Sequence, residues 1–179
     1  MVNSLKTASP EYLKAVYAKL YFLVAVFFCF ANCSGKDTSP VLLKLPEKVG
    51  TLQRVNAVRG TAANKFMYRM HGKMTGTHTS IIGYYGNSDN KNVLYISSFE
   101  SIESAEKALI KMASKIKKGA AGFTPVTIEQ INELRVYQTS GMGLKHFFYQ
   151  SGRFLVWWQA EPDKADKTFQ DIHTFKFGE

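Results

Sequence analysis

Residues 153–159, with the sequence RFLVWWQ, form the stretch that most constrains the fold. Side chains alternate between the two faces of a β-strand, and here both sets are apolar. Phe154, Val156 and Trp158 lie on one face, and Leu155 and Trp157 lie on the other. Burying apolar side chains away from water stabilises a fold, so each face of this strand requires a covering layer.

Two stretches of the chain repeat one order of elements: an aromatic strand end, a turn, an apolar strand and an amphipathic helix. The first has strands at 77–85 and 93–99 and a helix at 101–118; the second has strands at 144–149 and 153–160 and a helix at 163–173. Matching them requires a one-residue shift between strand and helix. Two such hairpin–helix units predict an α+β fold, an antiparallel sheet with helices on one face, as in ferredoxin-like sandwiches.

One helical layer covers one face of such a sheet and leaves the other face to be explained. Large exposed aromatic patches mark interaction sites, so this second face is a candidate to line an apolar ligand groove, contact a partner protein or form a homodimer. The candidate residues are Tyr149, Phe154, Val156 and Trp158. The alternative is that residues 41–45 cover this face as part of the core.

A run of methionine and histidine suggests a second kind of site. Thioether and imidazole ligands suit copper, which makes a periplasmic copper-binding or haem-binding protein the alternative function. The candidate ligands are Met70, His71, Met74 and His78. The structural alternative is that Met70 belongs to the apolar face of a helix at 62–70, because methionine commonly fills core gaps.

Motifs of catalysis are lacking in the sequence, which favours a protein that is not an enzyme. Residues 141–143, with the sequence GMG, form a loop without the strand-to-helix context of a nucleotide-binding glycine loop. The sequence contains no nucleophile elbow, zinc-protease helix or phosphate-binding loop.

Residues 20–31 form an uninterrupted apolar run that follows Lys6, Lys14 and Lys19. The run is shorter than the about 20 apolar residues that span a bilayer, and its basic leader is typical of an export signal. Residues 30–33, FANC, resemble the lipobox of bacterial lipoproteins. The resemblance implies that residues 1–32 are a signal peptide and that Cys33 carries the lipid. An uncleaved anchor and a cleaved, secreted protein are the alternatives.

The same resemblance implies an address and a domain plan. Ser34 follows the cysteine, which in Gram-negative lipoproteins favours the outer membrane, facing the periplasm. Residues 33–40 are a polar tether, and residues 41–179 form a single domain. The N-terminal lipid then makes the membrane the first expected partner.

Cysteine and charge limit the remaining functions. With Cys29 in the signal and Cys33 lipidated, no thiol remains for a disulfide, a thiolate metal site or a nucleophile. Residues 33–179 contain 20 basic and 13 acidic residues, a net charge of +7. This balance suits anionic headgroups or surface polymers, and export argues against nucleic acid as a partner. Basic residues at the end of the helix at 101–118 suit the helix dipole.

Overall fold

A computed structural model describes residues 42–71, 77–87, 91–119 and 122–178. Residues 1–40, including the predicted signal, tether and Cys33, lie outside this description. Within the described residues the strands are β1 (Lys48–Val49), β2 (Leu52–Arg59), β3 (Thr77–Tyr85), β4 (Asn92–Phe99), β5 (Thr127–Ile131), β6 (Leu134–Gly141), β7 (Leu144–Ser151) and β8 (Phe154–Ala160). The helices are α1 (Gly60–His71), α2 (Ile102–Lys117) and α3 (Pro162–His173).

The strands form one antiparallel sheet in the order β1-β2-β3-β4-β8-β7-β6-β5. Two four-stranded meanders, each followed by a helix, therefore meet where β4 pairs with β8 at the centre of the sheet. α1 is inserted between β2 and β3 in the first meander. An α+β fold with an antiparallel sheet is confirmed, whereas the ferredoxin-like arrangement is not confirmed.

The helices cover both faces of the sheet, which corrects the expectation that they share one face. We call the face beneath α1 and α2 the front face and the face beneath α3 the back face. Two residues, Glu100 and Ser101, connect β4 to α2, whereas Glu161 alone connects β8 to α3. Since side chains alternate between faces, a connection shorter by one residue is consistent with the second helix lying on the opposite face.

The back face holds the largest aromatic cluster of the domain. Trp158, Val156 and Tyr149 are fully buried there, with α3 packed over them. The Trp158 indole N–H donates to Thr168 Oγ1 of α3 over 3.1 Å. The predicted ligand or partner face, with Phe154 packed at its margin, is therefore core. This corrects the expectation of an exposed aromatic face.

The segment before β1 completes the cover of the back face, as the alternative interpretation proposed. Leu43 and Leu45 are buried in the same cluster as Trp158. The Tyr85 hydroxyl donates to the Pro46 carbonyl over 2.8 Å, and burial raises the pKa of Tyr85. These contacts fix the segment across the sheet.

The domain contains its own core. Residues 41–179 form one compact unit, and all three clusters of buried apolar residues found among the described residues lie in it. Every residue of these clusters lies between Leu43 and Phe177, so we expect residues 41–179 to fold on their own.

Candidate apolar binding pocket

The front face carries a cavity of about 410 Å³ between the sheet and its two helices. α1 supplies one wall through Met67 and Met70, and α2 supplies another through Met112, Lys115 and Ile116. Strands β4, β7 and β8 supply the floor. This volume lies within the range of small-molecule sites, and most of the lining side chains are apolar.

The floor is organised by a hydrogen-bonded pair of aromatic residues. The Trp157 indole N–H donates to His146 Nδ1 over 3.2 Å, and His146 Nε2 lies 3.1 Å from the Gly141 carbonyl oxygen. Because Nδ1 accepts, the proton is on Nε2, which donates to that carbonyl. Burial lowers the pKa of His146, so the ring is neutral at neutral pH. Both ring nitrogens are engaged, which leaves neither to bind a metal ion.

Phe123 closes one end of the floor. Its ring centroid lies 5.0 Å from that of His146 and 6.0 Å from that of Trp157. The Thr124 N–H donates to the Ser140 carbonyl over 2.8 Å, which fixes this segment to β6. A Cβ atom at Gly141 would lie 2.5 Å from the Phe123 ring. The glycine therefore makes room for the ring beside the pocket.

All four methionines that the structure describes line the pocket. They are Met67, Met70, Met112 and Met142. Methionine side chains are flexible and polarizable, and they adapt to ligands of irregular shape. A surface of this kind suits an apolar ligand better than one small polar group.

Met142 occupies an unfavourable position for its residue type. It forms a two-residue hairpin turn with Gly143, and the two have φ angles of 55° and 75°. Turns with two left-handed residues favour Asn-Gly sequences, because left-handed backbone is strained in most other residues. The Met142 side chain is also 73% exposed at the lip of the pocket. Strain at an exposed apolar residue is more typical of a functional surface than of a packing requirement.

The pocket is neutral inside and positive at its rim. Burial raises the pKa of Tyr95 to about 12, so its phenol is uncharged at neutral pH. Tyr95 lies on the floor with neutral His146, and Lys115 is the charged residue among the lining side chains that the structure describes. This arrangement can hold an apolar body and attract a negative group at its edge.

The predicted metal ligands are only partly described by the structure. Met70 lines the pocket at the end of α1, and His78 is exposed near the start of β3. Met74 and the side chain of His71 lie outside the described residues, as does Cys33. Among the residues that are described, no three His, Cys, Asp or Glu side chains group around one point. The copper site therefore stays a prediction.

The pocket lies on the face of β8 opposite to the one that carries the predicted ligand or partner residues. The pocket uses Leu155 and Trp157, whereas Phe154, Val156 and Trp158 pack behind the sheet. The alternation along the strand identified both apolar sets and gave no means of choosing between them. Met142 was a further signal, since an exposed methionine between two glycines is unusual in a hairpin turn.

Comparison with known proteins gives no assignment. No known protein family matches the chain, and no curated protein or solved structure matches it significantly. Over the residues that the structure describes, no helix is both long enough and apolar enough to cross a bilayer.

Proposed function

We propose that this chain is a lipid-anchored protein of the cell envelope that binds an apolar small molecule in its front-face pocket. The observation that carries the binding proposal is the 410 Å³ cavity lined by Trp157 and four methionines. A cavity of about 150 Å³ already accommodates benzene, so this one has room for a larger ligand. Binding, rather than catalysis, suits a lining in which both ring nitrogens of His146 are engaged in hydrogen bonds and burial keeps the Tyr95 phenol neutral.

The two tryptophans of the chain allow a direct test, because they lie on opposite faces of the sheet. In residues 41–179, Trp158→Phe leaves only Trp157, which lines the pocket, and Trp157→Phe leaves only Trp158, which is buried behind it. Each variant is titrated with dodecanol brominated at its terminal carbon, a contact quencher. We expect saturable quenching of Trp157 and little quenching of Trp158. Equal quenching of both, or none, refutes the pocket.

The anchor is the second part of the proposal and rests on the lipobox-like FANC sequence. We place the protein at the outer membrane, facing the periplasm, in a Gram-negative cell. Mass spectrometry is expected to show a mature chain that begins at Cys33 and carries added acyl mass. Cys33→Ser is expected to abolish this lipid modification. A chain that retains residues 1–32 without modification would refute this address.

Copper binding is the second candidate function, and the pocket supplies a specific reason for it. Four thioethers line one cavity, and soft thioether ligands select Cu(I). Met70 belongs both to this set and to the sequence run with His71, Met74 and His78. The pocket is less suited to haem, because both ring nitrogens of His146 are hydrogen-bonded and neither can bind the haem iron. If the protein binds copper, residues 41–179 should withdraw Cu(I) from a coloured chelator. The Met70→Leu variant should lose this ability.

A further inference from the structure

Of the residues that the structure describes, one cation, Lys115, stands at the rim of the front-face pocket. Lys115 is exposed on the last turn of α2, and the described residues that line the cavity include no carboxylate. The ion pairs found within the described residues involve Lys91, Lys145 and Lys164, and Lys115 takes part in none of them. Its ammonium group is therefore available to a ligand.

The helix dipole favours a lysine in the last turn of α2, but it does not explain why Lys115 lines the cavity. Cations are favourable near the C-terminal end of a helix, but Lys117 occupies the same last turn and does not line the cavity. Lys107, Lys111 and Lys115 follow one another at intervals of four residues, so they share one exposed side of α2. This row adds positive potential on the side of the helix where Lys115 meets the pocket.

The interior of the pocket restricts where a ligand can carry charge. Tyr95 and His146 are both neutral at neutral pH, and burying a charge without a partner is costly. A ligand with a charge in the middle of its body would therefore be rejected. A ligand with an apolar body and one anionic end satisfies both the floor and the rim.

We propose that the ligand is a single-chain amphiphile of the fatty-acid class, an inference that rests on the proposed pocket function. The acyl chain lies over Trp157 and between the methionines of α1 and α2, where the lining is apolar and adaptable. The carboxylate forms a charge-assisted contact with Lys115 at the rim. Charge complementarity selects the fatty acid over a neutral chain of equal length.

The test compares two ligands that differ only in the head group. Residues 41–179 carrying Trp158→Phe are titrated with dodecanoic acid and with dodecanol, each brominated at its terminal carbon and kept below its aggregation concentration. We expect the acid to bind about tenfold more tightly, the usual scale of one hydrogen bond to a charged group. Lys115→Met should remove this preference by weakening the acid much more than the alcohol, and Lys115→Arg should retain it.

Lys107→Met is the matched control. Lys107 lies on the same exposed side of α2, about 12 Å along the helix, and does not line the cavity. Lysine and methionine have similar helix propensities, so neither substitution should unfold α2. The control should keep the preference for the acid.

The outcomes separate this inference from the pocket function on which it rests. If neither ligand quenches Trp157, the pocket function itself fails. If acid and alcohol bind equally, or if Lys115→Met weakens both alike, the head-group inference is wrong and the pocket stands. The same holds if Lys107→Met removes the preference, because the attraction then comes from the whole row of lysines.

Discussion

Two neighbouring tryptophans of β8 lie in different environments because the two faces of the sheet are covered differently. On the back face, α3 and the segment before β1 leave Trp158 fully buried among aromatic rings. On the front face, α1 and α2 leave a cavity, and Trp157 remains partly exposed on its floor. Adjacent residues of one type thus serve different purposes, structural on the back face and, we propose, functional on the front face.

The largest effect should separate these two tryptophans. Trp158→Ala removes a fully buried side chain and leaves Thr168 Oγ1 without its indole donor, so we expect a loss of about 3–5 kcal/mol in unfolding free energy. Trp157→Ala should cost less, because part of its surface is already in water. Urea unfolding of residues 41–179 measures both. Equal losses would contradict the difference between the faces.

Gly141→Ala should lower the unfolding free energy by a smaller amount than Trp158→Ala. The added methyl group meets the Phe123 ring, and overpacking of this kind costs about 1–3 kcal/mol. Phe123→Ala removes that ring, so the double variant should lose less than the sum of the two single losses. Additive losses would show that contact with the Phe123 ring is not what destabilises the Gly141→Ala variant.

Met142→Asn should leave the fold equally stable or more stable, by up to about 1 kcal/mol, because asparagine tolerates left-handed backbone. The chain already uses this solution at Asn132, whose φ of 54° matches the 55° of Met142. The same change shortens the lip of the pocket, so the affinity for brominated dodecanol should fall. A variant that loses stability, or that binds as tightly as before, would speak against a functional role for Met142.

The smallest effect concerns pH and the floor of the pocket. In the folded state, burial lowers the pKa of His146 from its ordinary value of 6.5, so on acidification the unfolded chain takes up this proton first. The contribution of neutral His146 to the unfolding free energy is fully present above pH 6.5. It decreases as the pH drops from there towards the lower pKa that His146 has in the folded state. His146→Gln does not titrate and should lose less stability over this range. Parallel pH profiles of the two proteins would show that His146 has no such effect.

Much of the fold could be predicted from the sequence because its elements carry local patterns. The helix at 101–118 and the strand at 77–85 correspond to α2 and β3 in the structure. β5 (Thr127–Ile131) was missed, since four of its five side chains are exposed and alternation of buried residues is absent. It is held to β6 by backbone pairing, which leaves little trace in hydropathy.

The pocket could not be predicted, because it is assembled from distant parts of the chain. Its walls come from α1 and α2, and its floor combines Phe123, His146 and Trp157. The sequence also gave no rule for the side of the sheet on which each helix packs. The one-residue difference between the two connections was visible as the shift between the repeats, but its consequence depends on strand geometry.

The most direct test of the front-face pocket uses its methionines as reporters. Residues 41–179 contain five methionines, and the four that the structure describes all line the cavity. They are labelled with ¹³C at the methyl group and assigned by single Met→Leu substitutions. On addition of dodecanoic acid, we expect the signals of Met67, Met70, Met112 and Met142 to shift and to show Overhauser contacts with the acyl chain. Binding that leaves these four signals unchanged would contradict the pocket and place the ligand elsewhere.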